Sequence, residues 1–536
     1  MQEEERGKID GILALLDDSG VAEIVMNKWQ QNETGRDSYN PCRMFAAVLL
    51  AFALGHDSLR EMESACRNDL RFIYVLEGEC PTYATFSNFI NKGILPSIKE
   101  IYALLTKAIF KACGLAMDTC FIDGTKFEAD ANRYEFVWKP TRWHETLDLK
   151  IRKLLDVMGL YDNLPHEGFL PSSKVREKLA KTESGPLNGI EEKAWEGMRS
   201  NLMKYLLKLC EYEEKEAICG DYRNSYYKTD HDATAMCLKR DYYSGLGSSM
   251  HAAYSSQFVT CHGFIVSCMT TQDRSDMYVL IPAIDRFHEM YGVYPARLSA
   301  DAGYGCTENW KYCKAHNIRA FIKYNSFSKE NSGRYPAVYE LNKNLSITCL
   351  GGRTGYRHDV SNRHPKHKGS VFYLVENCDG CEFMPYCHRF MKEPESSSRI
   401  FDVPVEYVQL KQEARDILLS VEGIEMRVNR SIQAEGVFGA IKQDMAYTRL
   451  RRTSLPKAEL EIMLMCLGFN IRKYMRFLSG NASFNYWRAP EGTQPQTFKK
   501  PSAKRLANRV AKAKAKGVNE VARDSHKYKK TKRKGC

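Results

Sequence analysis

Two short apolar segments of this chain each run into an aspartate: Thr119-Cys-Phe-Ile-Asp123 and Arg297-Leu-Ser-Ala-Asp301. Apolar runs of this length bounded by turns read as buried strands. A carboxylate at the end of such a strand is costly to bury unless it is paired or holds a metal. The surrounding rhythm narrows the fold. Extended segments over 251–254, 258–260 and 264–270 lead to a helix over 277–291 and the strand that ends on Asp301. A Gly303-Tyr-Gly305 turn, a helix over 308–316 and a strand over 320–324 follow. Strands alternating with helices imply an α/β core, here of mixed α+β type.

Other stretches attach to that core. Residues 1–112 read as a helical N-terminal domain, with helices over 41–53, 58–68 and 70–76, another opened by Pro81-Thr82, and a last one over 96–113. Short helices joined by tight turns suit a helix-turn-helix-like DNA binder. The core is expected over 113–139 and 221–330, interrupted at 140–220 by charge-rich helical periodicity that looks like an insertion. A Gly-, Asn-, Arg- and Cys-bearing block over 331–404 breaks the rhythm and reads as a small lobe. Helices return over 405–485, and 486–536 is a basic tail.

At 536 residues the chain is too long for one small core. Its longest apolar run, Met44 to Leu54, falls short of the roughly 20 residues a membrane span needs. The N-terminus, Met1-Gln-Glu-Glu-Glu-Arg, is acidic where a signal peptide is basic and then apolar. A cytoplasmic protein with no membrane partner is expected, so its 18 cysteines read as thiols or metal ligands. The net charge of +12 is local: residues 491–536 hold 15 Lys+Arg against 3 Asp+Glu, and the rest of the chain holds 63 of each. That tail, from Lys499 to Lys534, reads as a disordered or conditionally helical arm. Such an arm neutralises phosphates and releases their counterions, which gives salt-sensitive binding to nucleic acid.

A third acidic residue, Glu435 in Gln-Ala-Glu-Gly-Val-Phe-Gly, lies at the start of an apolar-faced helix rather than on a charged surface. Three converging carboxylates suit hard cations such as Mg²⁺ or Mn²⁺, which keep open positions for substrate phosphates. Two such ions activate an attacking water or 3′-hydroxyl and stabilise the leaving oxygen. A G-x-x-x-x-G-K-[ST] phosphate loop is absent, so ATP-driven chemistry is not indicated.

The words around these residues, Phe121-Ile-Asp-Gly-Thr-Lys126, Ala300-Asp-Ala-Gly-Tyr-Gly305 and Ala434-Glu-Gly-Val-Phe-Gly-Ala-Ile-Lys442, resemble the three catalytic blocks of bacterial insertion-sequence transposases of the DDE class. Tyr39-Asn-Pro through Asn68-Asp-Leu-Arg-Phe and Pro81-Thr-Tyr-Ala-Thr-Phe-Ser-Asn-Phe resemble the helical N-terminal domain of the same group. The resemblance implies an RNase H-like catalytic core with Asp123, Asp301 and Glu435 as metal ligands and Lys442 as a DNA contact. Lys442 lies seven residues after Glu435, on the same helix face. One departure stands out: related transposases place an Arg four residues before the Glu, and here that position is Ser431. Arg430 or Arg427 is the replacement. Lys126 is a further candidate for a DNA phosphate. Tyr304 either stacks on a base or, the favoured reading, fills the strand-helix junction.

A second cluster lies in the lobe. Cys378-Asp-Gly-Cys381 sets two thiols on a Gly turn, with Cys387 and His388 behind and Cys349 upstream. Four such ligands close a tetrahedral structural zinc site. Cys349, Cys378, Cys381 and Cys387 are the preferred set, with His388 replacing Cys349 or Cys387 as a variant and reduced thiols as the alternative. The cysteines of this transposase group favour the metal. His358, His364 and His367 stand in a basic loop over 353–368; a solvated face is the default there and contact with the DNA backbone the alternative.

The resulting expectation is a transposase that recognises the terminal inverted repeats of its element, cuts there with two metal ions and joins the ends to target DNA as a homodimer on DNA. The alternatives are an RNase H-fold nuclease without strand transfer and an inactive DNA-binding protein.

Overall fold

The computed structural model describes residues 2–29, 38–165, 167–187, 189–239, 248–332, 337–359, 369–388 and 391–498, with residues 508 and 511 of the tail. His364, His367 and nearly all of the basic tail lie outside them.

Among the described residues, the first α-helices are α1 (Glu3–Asp18), α2 (Val21–Lys28), α3 (Pro41–Leu54), α4 (Leu59–Asn68), α5 (Leu70–Val75), α6 (Tyr83–Asn88) and α7 (Ile98–Ala112). Local signals set their ends. The Asn40 side chain accepts from the Cys42 and Arg43 amides, Pro41 fills the first turn, and Gly55 stops α3 in the left-handed region at φ 85°. Ser58 and Glu61 make a reciprocal capping box at α4. No single helix among the described residues is long and apolar enough to cross a membrane.

The main sheet is mixed. Strand β1 (Thr119–Glu128) is followed by the small pair β2 (Phe136–Trp138) and β3 (Ser225–Tyr227), which bracket helices α8 (Thr141–Val157), α9 (Ser172–Lys181) and α10 (Glu192–Cys219). Then come β4 (Thr234–Leu238), β5 (Ser249–Cys261), β6 (Phe264–Thr271), α11 (Leu280–Tyr291), β7 (Arg297–Ala300), α12 (Thr307–Ala315), β8 (Arg319–Ile322) and α13 (Phe327–Asn331). The sheet order is β4-β5-β1-β7-β8, with β6 also paired to β5. β5 runs antiparallel to β1, whereas β1, β7 and β8 are parallel. The two extended segments anticipated at 251–254 and 258–260 are therefore one strand, buried from Ala252 to Cys261.

The Cys-bearing block is a five-stranded antiparallel sheet built from β9 (Tyr339–Leu341), β10 (Ile347–Cys349), β11 (Thr354–Arg357), β12 (Val371–Val375) and β13 (Arg399–Val403), with the short α14 (Met384–Cys387) beside it. Its strands, of three to five residues, are too short for period-two alternation to stand out in the sequence. Helices α15 (Val405–Leu419), α16 (Val421–Arg430), α17 (Gly436–Gly439) and α18 (Leu455–Leu478) close the fold.

Helix α18 joins the halves. It packs on α3 and on β6. The fully buried Asn470 accepts from the Ile265 amide at 2.9 Å and donates to its carbonyl at 2.8 Å, which satisfies the outer edge of β6 as a neighbouring strand would. One apolar core consequently runs from Ile9 and Phe45 through Tyr102 to Val266 and Leu467. The helices α8 to α10 bury a core of their own around Ile151, Leu155, Leu202 and Leu209, and the lobe another around Ile347, Val375 and Val403.

Candidate active site

Register explains how Asp123 and Asp301 meet. Phe121 pairs with Ser299 across the parallel β1–β7 ladder, and each aspartate lies two residues further on, at the carboxyl end of β7: Asp301 follows that strand, whereas Asp123 lies midway along β1, which continues to Glu128 rather than ending on the aspartate as the sequence suggests. In open α/β sheets that end is where ligands sit. Asp301 also caps the turn after β7, its carboxylate accepting from the Gly303 amide at 2.7 Å. Asp123 accepts from the Gly124 amide at 2.9 Å.

Glu435 arrives from a helical run that is not a regular α-helix. α16 passes into a π-helical turn over Ser431–Glu435, then α17, then a second π-helical turn over Ala440–Asp444. A π-turn inserts one residue, so positions five apart share the face that positions four apart share in an α-helix. This accounts for the serine at the position expected to be arginine. Ser431 is exposed, while Arg430 is turned inward and buried. One guanidinium nitrogen of Arg430 donates to Asp123 Oδ2 at 2.9 Å and another to Glu435 Oε1 at 2.6 Å. Arg427 instead donates to Gln496 and lies against the Phe327 ring.

All three carboxylates line one cleft of about 580 Å³, together with Lys126, Lys239, Arg274, Asp276, Arg430 and Lys442. Lys126 is half-buried and donates to the Cys237 carbonyl at 3.3 Å. Lys442 donates to the Lys126 carbonyl at 2.6 Å and rests on the Phe127 ring. Burial, followed by the nearby Lys239, pushes its pKa down to about 8. Tyr304 is fully buried and its hydroxyl donates to Gln257 Oε1, so it fills the strand-helix junction.

Burial pushes the Asp123 carboxyl up to about 6, against the pull of Arg430 and with added repulsion from Asp301 and Asp276. The donor set is therefore hard oxygen and crowded, which is the chemistry that a divalent cation relieves. As the side chains stand, Arg430 spans Asp123 and Glu435, and among the described residues no three His, Cys, Asp or Glu side chains are arranged to hold an ion.

The structure also gathers the lobe cysteines. Cys349, Cys378, Cys381 and Cys387 line a cavity of about 20 Å³ with His388 and Arg399. The Arg353 amide donates to Cys349 Sγ at 3.3 Å and the Arg399 guanidinium to Cys387 Sγ at 2.9 Å. Burial and the neighbouring thiols raise the Cys378 pKa. His388 is buried, with its Nδ1 at 3.2 Å from the Pro394 carbonyl.

A family described as "Transposase DDE domain" matches residues 348–475, and one described as "Transposase domain (DUF772)" matches residues 2–92. Both matches are to transposase families, and together they support an insertion-sequence DDE transposase. No curated protein and no solved structure matches it. In this transposase the DDE match contains Glu435, Lys442 and the four lobe cysteines, whereas Asp123 and Asp301 lie outside both matched spans.

Sequence reasoning missed Asp276, Lys239 and Arg274 in the cleft. Asp276 follows a strand, as Asp301 does, but it stands in Gln272-Asp-Arg-Ser-Asp276, a polar run that reads as a turn.

Proposed function

We propose that this transposase cuts DNA at the terminal inverted repeats of its element and joins the freed 3′-hydroxyls to target DNA, with Asp123, Asp301 and Glu435 at the centre of an RNase H-like core. The observation that carries this reading is the convergence of three carboxylates from widely separated stretches on one cleft beside the carboxyl end of β7, where its parallel pairing with β1 stops. A sheet in which parallel β1, β7 and β8 continue into antiparallel β5 and β6 supports the core assignment.

Asp123, Asp301 and Glu435 are the residues that would hold Mg²⁺ or Mn²⁺. Bound there, the ions would activate the attacking oxygen and stabilise the leaving one. The chain's own groups do the rest. Arg430 fixes the spacing of Asp123 and Glu435 through one buried guanidinium. Lys126, Lys239, Arg274 and Lys442 supply a positive wall on which a phosphate backbone can lie. The N-terminal helices recognise the repeats, the basic arm adds sequence-independent attraction, and two copies pair the two element ends. Cys349, Cys378, Cys381 and Cys387 are the residues that would hold a structural zinc, which would stiffen the lobe; zinc is expected to co-purify with the wild type and to be lost from Cys381→Ser.

The test is Mg²⁺- or Mn²⁺-dependent processing of element-end DNA by wild type and by Asp301→Ala. Wild type is expected to give cleaved and joined products and the variant neither. Equal activity in both would sink the proposed centre, and cleavage without joined product would indicate a nuclease.

A further inference from the structure

Two of the glycines in the aspartate-bearing words, Gly124 and Gly303, make room for the same side chain. A Cβ on Gly124, directly after Asp123, would lie 2.7 Å from Asp276 Oδ1. A Cβ on Gly303, two residues after Asp301, would lie 3.0 Å from Asp301 Oδ1 and 3.4 Å from Asp276 Oδ2. Neither glycine has the positive φ that demands one, so the space, rather than the backbone conformation, is what a side chain there would spoil. Asp276 thus sits between the backbones that carry the other two aspartates.

Its orientation is held from behind. The buried Tyr304 hydroxyl donates to Gln257 Oε1, which turns the Gln257 amide so that its Nε2 donates to Asp276 Oδ1 at 3.1 Å. One carboxylate oxygen is engaged, and Oδ2 faces the space beside Gly303 and Asp301. Ligands of a metal are commonly steadied in this way by an outer hydrogen bond.

We propose that Asp276 is a fourth carboxylate of the catalytic centre, acting beside Asp123 and Asp301 on the divalent cation and held in place by Gln257 and Tyr304. This rests on the metal-dependent reading above and extends it. Mn²⁺ alone serves as the probe, with binding to the full chain followed by calorimetry and by the rise in thermal midpoint on adding Mn²⁺. Asp276→Asn, which still accepts from Gln257, is expected to weaken Mn²⁺ binding about 10- to 100-fold and to raise by a similar factor the Mg²⁺ needed for cleavage. Asp276→Glu is expected to recover part of both. Should Asp276→Asn not fold, Asp276→Ser carries the same expectation. Wild-type Mn²⁺ binding in Asp276→Asn alongside its loss in Asp301→Ala would overturn the role of Asp276 alone. Unchanged binding in Asp301→Ala would overturn the underlying reading.

Discussion

Asp123 is placed where its own charge is poorly tolerated, and that cost is measurable without DNA. Its side chain is 16% exposed, and its pKa rises from 3.8 to about 6 because of burial, even though Arg430 pulls it down. The folded protein therefore holds this proton more tightly than the unfolded chain does. The stability it contributes is full below pH 3.8 and is lost as pH rises through about 6. In metal-free buffer, Asp123→Asn should gain thermal stability relative to wild type between about pH 4 and pH 7, by on the order of 2 kcal/mol, while losing cleavage. A constant difference across that range would show that Asp123 titrates normally. Asp276, also raised by burial, leaves a residual slope in the variant. Asp123 and Asp301 were legible in the sequence because an aspartate after a run of Phe-Ile or Leu-Ser-Ala has few reasons to be there. Asp276, among charged neighbours, offers no such contrast, and its position emerges only in the folded chain, from the cleft it lines, the Gln257 amide that holds it and the two glycines packed against it.

The helical run from Val421 to Asp444 shows how an element can hide a residue that its sequence displays. Spacing by 3.6 places position 431 on the face of Glu435, and that position holds a serine. The π-turn moves the face by one residue and brings Arg430 onto Asp123 and Glu435. Arg430→Ser is expected to lower the cleavage rate by about 100-fold, the order of loss that misplaced catalytic groups produce. Transferring the arginine to position 431 in the double variant Arg430→Ser/Ser431→Arg should not restore it. Recovery in the double variant, with folding verified by circular dichroism, would mean that the π-turn has no bearing on the site. Contact between α3 and α18 was equally invisible. Both helices were legible from their apolar runs, but their closeness depends on Gly468, where a Cβ would lie 2.5 Å from Phe52 Cβ and 2.7 Å from its carbonyl carbon. Gly468→Ala should cost about 1–3 kcal/mol through overpacking, read as a lower thermal midpoint.

For the molecule as a whole, the question is which parts depend on one another. The N-terminal helices and the main sheet share one apolar core through α18, so they are expected to unfold together, whereas α8 to α10 bury their own apolar side chains. The two ends of that helical unit meet in space. Trp138 pairs with Ser225 across β2 and β3, and the Lys139 amide donates to the Asn224 carbonyl at 2.8 Å. Continuing this antiparallel register, residues 140–223 can be replaced by Asn-Gly, whose left-handed backbone suits a tight two-residue hairpin turn. The shortened chain should fold, keep the cooperative unfolding of its main core and retain the geometry of Asp123, Asp301 and Glu435, because none of these residues draws on the excised helices for a hydrogen bond. Circular dichroism and thermal denaturation of the purified variant check the folding, and metal-dependent nicking of element-end DNA checks the site. Loss of folding would show that the sheet needs the inserted core. A folded variant that nicks but no longer joins would assign these helices to holding target DNA, a role that their separate core leaves them free to take.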